Sequence, residues 1–210
     1  MAATPRQMSP SYERLAGVSG ILVGVLGILY SVAFMILVVA GRAPELRALL
    51  SPLFLMVGGL LSIVVQIAVY HRLRETEASF ALLALLLGVV GAVGSAIHGG
   101  YDLANAINPP ASLPADLPSQ INPRGLLSFG VSGVALFIVA WLIGRGGRFP
   151  KGLQYLGYVS AILLVLVYLG RLIILDPRNP VVAVPAVAVG FLVTPALYIW
   201  LGVTLWRGRI

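Results

Sequence analysis

Six long apolar runs dominate this chain, and each is long enough to cross a membrane as a helix. A hydrocarbon core about 30 Å thick needs about 20 apolar residues per helix. Short segments rich in arginine, glycine and proline separate the runs, which cover residues 15–40, 49–70, 78–102, 125–143, 153–175 and 181–206 of the 210. The pattern predicts an all-α polytopic membrane protein, with one integral membrane domain (1–210) built as a six-transmembrane-helix bundle.

The composition excludes several classes of protein. Hydrophobic residues make up 59% of the chain and charged residues 10%, and the mean hydropathy is +0.99. A soluble domain has about 25% charged residues, and about 55–60% of its surface is already apolar. A soluble enzyme, a disordered chain and a nucleic-acid-binding protein are therefore excluded. The chain has no cysteine, which removes disulfides, thiolate metal sites and cysteine nucleophiles.

The basic residues predict an orientation in the membrane. The chain has 14 Lys and Arg against 7 Asp and Glu, and the basic residues stand singly or in pairs at the ends of the apolar runs. If the N-terminus is inside, five of them are outside (Arg42, Arg47, Arg124, Arg171, Arg178) and nine are inside (Arg6, Arg14, Arg72, Arg74, Arg145, Arg148, Lys151, Arg207, Arg209). The excess of basic residues on one side favours both termini in the cytoplasm. The same residues are expected to contact lipid headgroups.

The longest connection, residues 108–124, contains five prolines. Proline interrupts a helix because it lacks the backbone N–H and its ring displaces the preceding turn. This segment is therefore predicted to be a loop. It is interpreted either as a lid or partner contact, or as an exposed polar connection.

The third run ends in a stripe of polar residues. Ser95, His98, Asp102 and Asn105 follow one another at spacings of three and four, which places them on one face of a helix. Polar groups inside a membrane are costly unless they face protein, water or a partner. His98 is about 20 residues into the run, or about 30 Å from its start. The stripe is therefore predicted to face away from lipid, near the outer rim.

Two interpretations of this stripe stay open. In the functional one, it is a ligand-binding or proton-responsive site, because histidine commonly titrates near neutral pH and a carboxylate one turn away orients it. In the structural one, it is an interhelical hydrogen-bond cluster or a helix end that emerges into water. Arg171, in the fifth run, is predicted to reach the same rim. There it either pairs with Asp102 or Asp176, or extends to the headgroups.

No complete catalytic set appears, so no catalytic residue is assigned. The segment Gly130–Gly133 resembles the Gly-x-Ser-Gly turn of rhomboid proteases, but no histidine follows Ser132 to act as its base. The two histidines, His71 and His98, are predicted at opposite ends of the bundle, which makes haem or zinc binding unexpected. We therefore expect no cofactor and no metal.

The chain resembles a family of small, uncharacterised bacterial integral membrane proteins. The likeness lies in a glycine-rich first run (17–27), in Gln66-x-x-x-Tyr70-x-x-Leu73, in the basic turn 144–151 followed by Leu153-x-x-Leu156-Gly157, and in Pro195-x-x-Tyr198-x-x-x-Gly202. The resemblance implies a six-helix bundle in a bacterial cytoplasmic membrane. It implies no activity and transfers no catalytic residue.

Three functions are consistent with these observations. The first is a non-enzymatic accessory, assembly or sensory component that acts through helix–helix contacts with other membrane proteins or in a homo-oligomer. The second is a small transporter or proton-coupled carrier that uses His98, Asp102 and Arg171. The third is an intramembrane enzyme. Convergence of the three polar residues on a cavity that reaches the middle of the bundle would favour the second.

Overall fold

The computed structural model of the chain describes residues 8–39, 44–109, 125–174 and 179–208. These ranges contain no strand. A π-helical turn, Leu126–Val131 (π1), precedes α4, and a second, Ala188–Val193 (π2), joins α6 to α7. The helices are α1 (Pro10–Val39), α2 (Pro44–Leu73), α3 (Ala78–Ile107), α4 (Ser132–Gly146), α5 (Lys151–Ile173), α6 (Pro180–Val187) and α7 (Thr194–Trp206).

The prediction of an all-α bundle with six membrane-spanning helices is confirmed. The segments long and apolar enough to cross a membrane, numbered here as spans 1 to 6, are Pro10–Ala33, Ala48–Leu73, Ala78–Ile107, Leu126–Gly146, Lys151–Ile173 and Pro180–Trp206. Span 3 continues through Asn105, past the predicted boundary at residue 102. Residues 110–124 of the proline-rich connection, and Asp176, lie outside the described residues.

The six spans form a closed ring. Each span packs against the next one along the chain, and span 6 returns to pack against span 1. This last contact depends on glycine. A Cβ on Gly20 would lie 2.8 Å from the Cα of Gly202, and a Cβ on Gly202 would lie 2.6 Å from the carbonyl oxygen of Gly17. Small residues stabilise such contacts in membranes because they let two backbones approach closely.

The two ends of the ring differ, and we name them by residue. The His98 end holds the last turns of α3 and α5 and the first turns of π1 and α6. The Arg72 end holds the last turns of α2, α4 and α7. The main cluster of buried apolar side chains lies toward the Arg72 end and includes Leu73, Leu142, Leu153 and Leu205, whereas the smaller cluster toward the His98 end comprises Leu164, Val167 and Val189.

Polar contacts tie the spans together at the Arg72 end. Arg72 lies 3.2 Å from Glu13, which joins span 2 to span 1. The same guanidinium stacks over the ring of Phe149, between spans 4 and 5, at 5.7 Å. Arg148 pairs with Glu75, which joins the connection between spans 4 and 5 to that between spans 2 and 3. These contacts link the start of span 1 and both connections at this end into one network.

The π-helical turns interrupt spans 4 and 6, and each has a local cause. π2 lies between Pro185 and Pro195. A proline in a helix cannot donate to the carbonyl four residues earlier and pushes that carbonyl aside, and a wider turn accommodates the displacement. In π1, the Ser132 hydroxyl donates to the carbonyl oxygen of Leu127, five residues earlier, at 3.4 Å. The interruption of span 6 before Pro195 thus takes the form of a π-helical turn.

Candidate functional site

A cavity of about 200 Å³ lies inside the ring, and all six spans contribute to its wall. On α2 the wall runs from Phe54 to Gln66, a distance of about 18 Å along the helix axis. On α3 it includes Ala92 and Ser95, at the middle of the helix. The cavity therefore occupies the centre of the bundle. Its polar wall residues are Tyr30, Ser62, Gln66, Ser95, Ser128, Ser132, Thr194 and Tyr198.

Several of these polar groups are held by backbone carbonyls. The hydroxyl of Ser62 donates to Gly59 at 2.7 Å, and that of Ser95 donates to Gly91 at 3.1 Å. The side-chain amide of Gln66 crosses from span 2 to span 3 and donates to the carbonyl of Gly88 at 3.0 Å. A Cβ on Gly88 would overlap this amide, so glycine at that position makes the contact possible. These bonds fix the orientation of the polar wall.

Two hydroxyls on the wall have no partner among the described residues. They belong to Ser128, within π1, and Thr194, directly after π2, and both oxygen atoms are buried. A buried hydroxyl left without a hydrogen bond costs about 1–3 kcal/mol. π-helical turns in α-helices frequently occur at functional sites. Here an unpartnered hydroxyl lies within or directly after each turn and lines the same cavity, so a molecule bound there could satisfy both groups.

The predicted stripe on span 3 leads from this cavity toward the His98 end. Ser95 forms part of the wall. One turn further, the His98 Nε2 lies 3.4 Å from the Asp102 Oδ2, and the exposed fraction of the side chain rises from 14% for His98 to 43% for Asp102. Asn105, on the next turn, is half-buried. The stripe thus connects the middle of the bundle with its surface.

Tyr30 joins the cavity to the other predicted site residues. Its side chain forms part of the wall and lies within Coulombic range of both Asp102 and Arg171. The structure therefore brings residues from spans 1, 3 and 5 together at the His98 end. Arg171 is exposed there. A direct ion pair between Arg171 and Asp102 stays a prediction, and the other partner considered, Asp176, lies outside the described residues.

Sequence reasoning did not single out Ser62, Ser128 or Thr194. Each stands alone in an apolar run, and an isolated serine or threonine in a membrane helix commonly bonds to its own backbone. Gln66 and Tyr198 stand in the motifs Gln66-x-x-x-Tyr70 and Pro195-x-x-Tyr198, to which no function was assigned. The convergence of these side chains depends on how six helices are arranged, so no spacing within one helix reveals it.

The described residues contain no group of three or more His, Cys, Asp and Glu side chains able to hold a metal ion. His71 and His98 occupy opposite ends of the bundle, as predicted. Comparisons of the chain with protein-family models, curated proteins and solved structures find no match. The resemblance to small bacterial membrane proteins therefore stays a prediction, and the function is argued from the geometry of the cavity.

Proposed function

We propose that the protein is a small-solute transporter in which the central cavity binds the solute and the polar residues at the His98 end form its entrance. The observation that carries this proposal is the cavity itself, because all six spans build it and eight of its wall residues are polar. Substrate sites of secondary transporters lie near the middle of the membrane, between helices that are often interrupted. The position of this cavity and its two π-helical turns match that arrangement.

The packing of the bundle supports the proposal. Polar groups within a membrane are costly unless protein, water or a ligand satisfies them. The Arg72 half satisfies this constraint by filling its centre with leucine, valine and alanine. The middle of the bundle instead encloses a cavity whose wall includes hydroxyl groups. A binding function accounts for that difference.

His98 and Asp102 are proposed to control access to the cavity. The His98 imidazole lies 3.4 Å from the Asp102 carboxylate, and this contact orients both side chains at the end of the polar stripe. Solute movement is therefore expected to depend on this contact. In the orientation predicted from the basic residues, this entrance faces the outside of the cell.

The test uses the purified chain in liposomes. Uptake of glycerol, erythritol, lactate and methylammonium is followed by light scattering, and proton movement by an enclosed pH-sensitive dye. We expect uptake of a neutral solute, glycerol or erythritol, above that of empty liposomes. His98→Ala should reduce it about tenfold or more, because the entrance loses the contact between His98 and Asp102. His71→Ala, at the opposite end, is the matched control and should retain it. The absence of protein-dependent uptake of any solute would refute the proposal.

An accessory or assembly role stays a prediction of the sequence, as does an intramembrane enzyme. The accessory role predicts a different experimental result, in which the chain shows no uptake and co-purifies stoichiometrically with another membrane protein. An active uptake assay with the chain alone would exclude it as the sole function.

A further inference from the structure

We infer that the central cavity selects a small, electrically neutral molecule that has an apolar body about the size of one aromatic ring and a hydroxyl group that donates a hydrogen bond. This inference rests on the proposed function, since it takes the cavity to be the solute site. It adds the chemical class of the solute. Three properties of the wall carry it, namely its charge, its hydrogen-bonding capacity and its apolar surface.

The wall is uncharged. None of the described residues that line the cavity is Asp, Glu, Lys, Arg or His. An ion transferred from water into such surroundings would lose its hydration without gaining a counter-charge, which is far more costly than transfer of a neutral molecule. Asp102 and Arg171 are not among the wall residues. The cavity therefore disfavours a carboxylate or an ammonium group.

The wall offers both acceptors and donors of hydrogen bonds. A serine hydroxyl has one hydrogen and two lone pairs. Ser62, Ser95 and Ser132 each donate that hydrogen to a backbone carbonyl, so only lone pairs remain for a ligand. The hydroxyls of Ser128 and Thr194 have no partner among the described residues and are free to accept or donate. A ligand hydroxyl matches this set, because it can donate to the first three residues and accept from Ser128 or Thr194.

The rest of the wall is apolar and includes four aromatic rings, those of Tyr30, Phe54, Phe129 and Tyr198. Its volume of about 200 Å³ exceeds the roughly 150 Å³ of an apolar cavity that binds benzene. One ring with a small substituent therefore fits. Simple phenols combine this body with the required hydroxyl and with neutrality at pH 7.

The probes are 4-fluorophenol, 4-fluorotoluene and 4-fluorobenzoate, which differ only in the group opposite the fluorine. Binding is measured by ¹⁹F relaxation with the full chain in lipid nanodiscs, and empty nanodiscs correct for partition into lipid. We expect saturable binding of 4-fluorophenol, and at least tenfold weaker binding of 4-fluorobenzoate. Because one hydrogen bond contributes modestly in net terms, Ser128→Ala should reduce the preference for 4-fluorophenol over 4-fluorotoluene about three- to tenfold.

Ser160→Ala is the matched control, since Ser160 is equally buried and unpartnered but does not line the cavity. It should leave the preference unchanged. Thr194→Val is the second test variant if Ser128→Ala does not fold. Equal binding of the benzoate, an unchanged preference in both test variants, or no saturable binding of any probe would overturn the inference. Selective binding without uptake in liposomes would instead refute only the transporter proposal.

Discussion

The Arg72 half and the His98 half of this bundle are built from the same kind of apolar helix but are filled differently. In the Arg72 half, large side chains such as Leu142 and Leu153 are completely buried, and the cavity lined by Leu73, Leu153 and Leu201 measures only about 40 Å³. The cavity at the middle of the bundle has about five times that volume, and serine, threonine and glycine are among its wall residues. The Arg72 half therefore has the denser packing, and the larger open volume extends from the middle of the bundle toward the His98 end.

The polar contacts at the Arg72 end also differ from those at the His98 end. At the Arg72 end, ion pairs and a cation–π contact connect span ends to one another. At the His98 end, the contact of His98 with Asp102 lies within one helix, between residues four apart. The comparison suggests a rigid base at the Arg72 end and an entrance at the His98 end, and the following substitutions test it.

The largest effect is expected in the core of the Arg72 half. Leu142→Ala should lower the free energy of unfolding by about 2–5 kcal/mol, because a fully buried leucine leaves a cavity that its neighbours fill only partly. Thermal unfolding in detergent measures the change. Leu166→Ala, at a position 48% exposed on the outer face of the ring, is the control and should change stability much less. Equal loss in both variants would contradict the assignment of a packed core.

An intermediate effect is expected from the ion pairs at the Arg72 end. Glu13→Gln should destabilise the bundle by about 1 kcal/mol or more, because it leaves the mostly buried Arg72 guanidinium without its carboxylate. Glu75→Gln removes a pair whose side chains are both exposed, and should cost less than about 1 kcal/mol. The two variants are compared at low and high salt. If Glu75→Gln proved the more harmful, the buried pair would not be the main restraint.

The smallest effect on stability is expected in the wall of the central cavity. Ser128→Ala removes a hydroxyl that has no partner in the described structure and should not lower the free energy of unfolding, since no hydrogen bond is lost. Ser62→Ala, which removes a bond to Gly59, gives the reference. A loss from Ser128→Ala as large as that from Leu142→Ala would show that both halves are structural cores.

Much of the architecture could be predicted from the residues alone. The length of the apolar runs implied six spans, and the spacing of Ser95, His98 and Asp102 placed them on one helical face. The two histidines were also correctly separated to opposite ends. These properties depend on the repeat of a single helix, so they can be read along the chain. The extension of α3 past residue 102 was not predicted, because polar residues continue the helix after the apolar run ends.

The cavity was not predictable in the same way. Ser62, Ser128 and Thr194 belong to three different spans, and nothing in the spacing along the chain relates them. They meet because each span packs on the next and because Gly20 and Gly202 let span 6 close against span 1. The π-helical turns also contribute to the convergence of these side chains, since each turn shifts the register of its span and brings a hydroxyl to the cavity.

The sequence by itself therefore determined that the helices are surrounded by lipid, how many spans there are and where the polar stripe lies on α3. These properties can be read from the sequence because hydropathy and helical periodicity are local. Only the tertiary structure decided which part of the bundle is filled by apolar side chains and which part contains the larger cavity. That outcome depends on the order in which the helices close into a ring and on which side chains they bring together across it. The polar stripe gained its proposed role from the cavity to which it leads.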